Sequence, residues 1–315
     1  MIAITDIHIF DYPEHKQHDR IGLCLNALKD CFAYNHKTGG RLILFGGDLN
    51  QKEKITQTLV LDRINDFLDK MFTKYPDQRI LAISGNHDIS GRAVHGQPYP
   101  PTIINQIKHP NWQCIDGQMI TTPNCEIVGL PYYKTPDDFS MELNNVVAQV
   151  GDKTSKRFRI LLIHNTPKHL TNPNIPFDFD PFDERFNAFD LVICGHIHKF
   201  QKFSDKFYLL GSPLHRDLGD IGDEKFLLHI DEETFKVNPI SRKGRYPELK
   251  RIEHPTQEDY DKYFVVPVYS IKQSRENIKQ VSKVDMSKTP SDIFEDYAAI
   301  KGKSEFFPQL KALIQ

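Results

Sequence analysis

Five short runs made only of apolar residues, 2–4, 42–45, 80–83, 160–163 and 191–194, are each followed within a few positions by side chains able to bind a metal. Those side chains are Asp6 and His8, Asp48, Asn86 and His87, His164, and the pair His196 and His198. An apolar run without alternation suits a strand covered on both faces, as in a largely parallel sheet. Helical spacing fills the gaps between the first three runs, at 21–34 and 56–75, and in the second segment Leu61, Ile64, Leu68, Met71 and Phe72 share one face. Strand and helix in alternation predict an α/β core. Further strands are expected at 126–130, 207–210 and 225–230, so a second sheet packs on the first. The predicted architecture is a two-sheet sandwich flanked by helices, with a small C-terminal region.

At 315 residues the chain is long enough for one large domain and an appendage. From about Ile240 the composition turns basic and polar, with Arg242, Lys243, Arg245, Lys250 and Arg251, which divides the chain into a main domain of 1–240 and a terminal region of 241–315. Within that region, residues 291–300 read as a helix started by Thr289, Pro290 and Ser291. A net charge of −2 exerts no global pull on a polyanion, so nucleic-acid contact has to come from local basic residues or from metal ions. Five cysteines without CxxC spacing point to reduced thiols, and Cys24 and Cys31, seven apart on a helix, read as packing residues. No charged and apolar leader precedes the first strand, and no apolar run approaches the roughly 18 to 20 residues of a membrane span. The expectation is a cytoplasmic, unprocessed chain with no membrane contact.

Each motif has its own chemistry. In Asp6-Ile7-His8, residues two apart on an extended strand end point to the same side, which lets a carboxylate and an imidazole meet at one ion. Gly46-Gly47-Asp48 turns sharply after a strand; Asp48 either bridges two cations through its two oxygens or caps the next helix. Asn86 is an unusual ligand, and His87 directly after it is positioned to face a substrate. His164 alone is either a ligand or a hydrogen-bonded edge residue. His196 and His198 place two imidazoles on one side of a tight turn, suited to Mn, Fe or Zn. Taken together at strand ends that share one crevice, the set reads as a metal site. Seven O and N donors with one shareable carboxylate fit two ions, the arrangement used for in-line attack on phosphate esters. Arg92 and His95, just beyond the Asn-His pair, and Arg242, Lys243 and Arg245 are candidate phosphate-backbone contacts or plain surface charge. The Pro- and Asp-rich stretch 173–183 reads as a long surface loop able to overhang the site.

These five blocks, in this order, resemble the calcineurin-like metallophosphoesterase superfamily over roughly residues 1–230. The resemblance implies one metal held by Asp6, His8, Asp48 and His198, and a second by Asp48, Asn86, His164 and His196. It assigns His87 to the leaving oxygen or the transition state. Two divalent ions, by expectation Mn2+, are the implied cofactor. The block Tyr208-Leu209-Leu210-Gly211-Ser212-Pro213-Leu214-His215-Arg216, followed by Gly222-Asp223-Glu224-Lys225, is similar to SbcD-type DNA-repair nuclease subunits and their phage counterparts. That similarity implies DNA as substrate, exonuclease with endonuclease action open, an SbcC-like SMC-type ATPase as partner, and leaves a homodimer open. Two departures bear on DNA engagement: Leu49-Asn50 follows Asp48 where relatives often place Phe, and the region beyond Ile240 is short for a DNA-capping domain. Ile293, Tyr297, Ile300, Phe306, Phe307, Leu310 and Leu313 form either a partner-docking element or a helix folded back on its own core. A phosphatase or phosphodiesterase for a small nucleotide or phosphoprotein shares every ligand and is the alternative. A non-catalytic scaffold has no need of the complete ligand set.

Overall fold

The structure, a computed structural model, describes residues 1–10, 19–51, 58–151, 156–168, 177–216, 218–253 and 255–267. Two six-stranded sheets form the first of two compact units, Met1–Leu249. The strands are β1 (Ile2–Ile4), β2 (Leu42–Phe45), β3 (Arg79–Ala82), β4 (Trp112–Cys114), β5 (Met119–Thr121), β6 (Cys125–Leu130), β7 (Phe158–Ile163), β8 (Leu191–Cys194), β9 (Gln201–Lys202), β10 (Phe207–Leu209), β11 (Phe226–Ile230) and β12 (Val237–Ser241). One sheet runs β12-β11-β1-β2-β3-β4, the other β5-β6-β7-β8-β10-β9. Strands β1 to β4 pair in parallel, as do β6, β7, β8 and β10. Antiparallel strands close the remaining edges.

The apolar runs are continuous because both faces of each sheet are covered. In β2, Ile43 and Phe45 pack outward, where the first sheet meets α1 (Arg20–Lys37) and α2 (Thr58–Lys74), while Leu42 and Leu44 pack inward between the sheets. In β7, Ile160 and Leu162 face inward, and Leu161 and Ile163 face the layer built with α4 (Pro136–Val150). A short helix, α3 (Ile103–Gln106), leads into β4. Such two-sided burial fixes strand register, since a slip of one residue would exchange the two layers. Cys24 and Cys31 lie in the outer layer on the buried side of α1.

Helix ends follow their chemistry. The Asp19 side chain accepts from the Gly22 N–H at the start of α1, and His36 and Lys37 occupy its last turn. Thr135 caps α4 just ahead of Pro136, whose missing N–H costs nothing in a first turn. Of the Pro- and Asp-rich loop, 173–176 lie outside the described residues. The described part is anchored rather than lying loose on the surface: Phe179 is buried against Phe139 and Phe186, and the Asp178 carboxylate accepts from Asn165 and Thr166.

The compositional change near Ile240 falls inside β12, which pairs with β11. The second unit, Lys250–Gln315, is described as far as Pro267. There β13 (Leu249–Ile252) pairs with β14 (Phe264–Pro267) beside α5 (Gln257–Lys262), whose Thr256 and Asp259 form a reciprocal capping box. The helix expected at 291–300 and the apolar positions from Ile293 to Leu313 lie outside the described residues. Among the described residues, no helix is long and apolar enough to cross a membrane.

Candidate metal centre

The loops leaving β1, β2, β3, β7 and β8 converge at one edge of the sandwich. A bond across the sheets locks them: His164 Nδ1 donates to the Gly46 carbonyl at 2.7 Å, which turns Nε2 toward Asp48 Oδ2 at 3.3 Å. Asp6, His8, Asp48 and His164 are buried, and Asn86, His87, His196 and His198 are half-buried. The donors therefore line a floor and a rim with one open side.

The backbone reaches this arrangement through strained turns. Among the described residues, five other than glycine have positive φ, and four are Asp6 (54°), His8 (48°), Asp48 (56°) and His196 (86°). Left-handed backbone costs a non-glycine residue energy and persists only where surrounding contacts impose it. Here the contacts are the Asp6 N–H to Gly47 O at 2.9 Å, the His8 N–H to Asp48 O at 3.0 Å, and the His196 N–H to both Asp6 oxygens at 3.1 and 3.2 Å. This corrects the expectation of an extended strand end at 6–8: a left-handed turn, not strand alternation, brings the Asp6 and His8 side chains together. Gly85 is required by close approach, since a Cβ there would sit 2.1 Å from Asp48 Oδ1.

Three overlapping groups of donor atoms result, each within 4.8 Å: Asp6, His8 and His198; His8, Asp48 and His87; and Asp48, His164 and His196. Asn86 joins the third through its Oδ1, 2.8 Å from His196 Nδ1. His8 Nε2 lies 3.4 Å from Asp48 Oδ2 and 3.7 Å from Asp6 Oδ1. Adjacent donors on one ion with bonds of about 2.1 Å are separated by roughly 3 Å or somewhat more, so these spacings fit ligands awaiting a cation. A second observation agrees: among the described residues, both ring nitrogens of His8 and Nε2 of His164 are buried without a hydrogen-bond partner. Buried polar atoms are rarely left so, and a divalent ion would satisfy them. Carboxylate, amide and imidazole donors without thiolate match Mn, Fe or Zn. Cys194, next in sequence, points its Sγ at the Asn165 and Gly195 carbonyls.

Electrostatics divide the rings. Burial pushes His196 and His198 down to about 4 and holds His8 well below the usual imidazole range, so their lone pairs are available at neutral pH. His164 differs: burial opposes its charged form, but the Asp48 carboxylate outweighs it and lifts His164 to about 9. Asp48, against its own burial, is held well below the usual carboxylate range by His164 and His8. A cation can take His164 only by displacing its proton. The affinity of the metal-stripped chain for Mn2+ should therefore rise close to tenfold per pH unit from about pH 7 to 8.5, with about one proton released per chain from this ring. Calorimetry in buffers of different ionisation enthalpy measures that proton, and a flat affinity over the window would contradict the pairing. The stability sign is the same: His164 titrates higher folded, at about 9, than unfolded, so its contribution is present below an unfolded value of about 6.5 and lost as pH rises through about 9.

Several residues at the site were not singled out by sequence reasoning. Asp88 is buried and accepts from the backbone N–H groups of Asp48 (2.7 Å), Leu49 (2.9 Å), Asn50 (3.0 Å) and Gly85 (2.9 Å), tying the β2 and β3 loops together. It stands beside His87 in a turn whose spacing was informative, yet its partners are up to 40 residues away. Tyr132 sets its ring 5.7 Å from that of His196. His87 Nδ1 is held by the Gln51 carbonyl, and its N–H donates to Asp48 Oδ1 at 2.9 Å. The block after the His pair wraps His198: its carbonyl accepts from the Ser212 N–H at 3.1 Å and from buried Lys225 Nζ at 3.0 Å.

The candidate phosphate contacts lie in other company. His95 binds Glu142 at 2.7 Å and Asp138 through its N–H, and exposed Arg92 approaches Asp138 at 4.0 Å. Arg242 and Arg245 both hold Asp30, together with Tyr246, while Lys243 is exposed on the rim of a cavity of about 240 Å³.

A family model described as calcineurin-like phosphoesterase matches residues 1–200, a span that takes in each candidate ligand from Asp6 to His198. No curated protein matches the chain. Among solved structures, the crystal structure of TT1561 of Thermus thermophilus is similar over 76% of this chain and 97% of that one, at 12% identity and a TM-score of 0.46.

Proposed function

This chain belongs to the calcineurin-like phosphoesterase family, and from that membership we propose that it is a two-ion phosphodiesterase that cleaves DNA. The observation that carries the hydrolytic part is the sharing of Asp48 between two donor groups in which both ring nitrogens of His8 and Nε2 of His164 are buried without hydrogen-bond partners. Asp6, His8, Asp48 and His198 would hold one divalent ion, and Asp48, Asn86, His164 and His196 the other. When bound, such a pair supplies Lewis acidity for water activation and for the charge that builds on phosphorus. The chain's own groups do the rest. Asp6 and Asp48 fix the backbone of His196 and His87 through their carboxylates. His87, with Nδ1 held by Gln51, has its other nitrogen to deliver a proton to the leaving oxygen. Mn2+ is the ion proposed, because carboxylate and amide oxygens share the site with imidazoles.

DNA as substrate is supported by the similarity of the block from Tyr208 to Lys225 to SbcD-type subunits; in this chain that block holds the His198 loop. The accompanying partner would be an SbcC-like ATPase, docked through the terminal region. A linear duplex DNA incubated with the Mn-loaded chain should lose nucleotides from its ends. His87→Ala should reduce this by about a hundredfold or more while Mn binding persists. Turnover of small phosphoesters without any DNA cleavage, with or without an SbcC-like ATPase, would reject the DNA reading in favour of a small-molecule or phosphoprotein substrate. Full DNA cleavage by the His87 variant would remove its assigned role.

A further inference from the structure

Arg216 stands beside the metal centre with no part in the ligand set. Its Nη1 lies 2.9 Å from His198 Nε2, and its Nη2 bonds the Gln51 side-chain oxygen. Its backbone is fixed as well, since the Arg216 N–H donates to Asp220 Oδ2 at 2.7 Å. Asp220 is in turn bound by Lys225, the residue that holds the His198 carbonyl. The guanidinium is therefore held in place from both ends, on the side of the site where Gln51 also holds His87.

Two chemical facts decide what this cation can do. A guanidinium only donates, so the His198 nitrogen facing it must be accepting with its one lone pair. That same lone pair is what His198 offers a metal, and it cannot serve both. The two side-chain acceptors Gln51 and His198 are neutral, whereas a guanidinium fork matches a phosphate oxygen pair far better.

We propose that Arg216 is a phosphate-binding residue of this site: a metal would take the His198 nitrogen that the guanidinium faces, and the guanidinium donors would then serve the non-bridging oxygens of a substrate phosphate. The inference rests on the phosphoesterase reading above. It makes the segment after the His pair part of the substrate site as well as its scaffold.

The test uses the full chain, as wild type, Arg216→Gln and Arg216→Lys. Calorimetric titration of Mn2+ into stripped protein should show Arg216→Gln binding the metal at least as tightly as wild type, because a competitor and a like charge are gone. Titration of inorganic phosphate into the Mn-loaded chains should show a loss of about tenfold to a hundredfold for Arg216→Gln, with partial recovery in Arg216→Lys. With a small phosphodiester, KM should rise by a similar factor, more than kcat falls. Unchanged phosphate affinity in Mn-loaded Arg216→Gln overturns the proposal, as does a wild type that takes no phosphate with Mn bound. Loss of Mn and phosphate together in both variants also overturns it, by making Arg216 a mere support for His198. A wild type that binds phosphate through Arg216 but hydrolyses no phosphoester would sink the functional reading and leave this inference standing.

Discussion

Asp48→Asn is expected to lower phosphoester turnover by about a thousandfold, the equivalent of roughly 4 kcal/mol of transition-state stabilisation. The substitution keeps the shape and one acceptor for the His87 N–H, and removes the charge that both donor groups share. It also removes the carboxylate that lifts His164 to about 9, so that ring should turn neutral near pH 7. Metal content measured by mass spectrometry should fall from two Mn per chain to one or fewer. Two tightly bound ions and a rate within tenfold of wild type would remove Asp48 from the shared position between them.

Asp88→Ala is the second large effect, and it acts on stability first. Four backbone N–H groups end on this buried carboxylate, and an alanine leaves them without an acceptor. The expected cost is about 3 to 5 kcal/mol in urea unfolding of the metal-free chain. The β2 loop would lose its tie to the β3 loop, so Mn affinity should fall by about ten- to a hundredfold as well. Asp88→Asn should not rescue fully, because its amide group would face N–H donors on one side. A loss below about 1 kcal/mol would mean that other contacts hold the loops.

Much of the fold was legible because two-sided burial leaves an unbroken apolar run. β1, β2 and β8 fall where their runs lie, and β3 is displaced by one residue because Arg79 joins the ladder opposite Leu42 while Ile83 leaves it. β4 and β5 were not legible: each has three residues at a sheet edge with polar members, too little pattern for a period to appear. At the site, the residue types and their strand-end positions were legible. The turns were not, since positive φ at Asp6, His8, Asp48 and His196 is imposed by bonds to distant loops rather than by local propensity. For the same reason the roles of Asp88 and Arg216 were not legible, although Arg216 stood in a quoted block: Asp88 binds the backbone at 48–50 and Arg216 the Gln51 side chain, both on a loop remote in sequence. The basic residues at 242–245 illustrate the converse. Charge was visible in the sequence, but not that Asp30 on α1 would engage two of the three.

Whether two ions share Asp48 is tested most directly by anomalous diffraction from crystals soaked in Mn2+. Two peaks are expected about 3.5 to 4 Å apart with the Asp48 carboxylate between them, one against Asp6, His8 and His198 and the other against Asn86, His164 and His196. A single peak, or none within reach of Asp48 at saturating Mn2+, would contradict the shared carboxylate and the two-ion chemistry built on it.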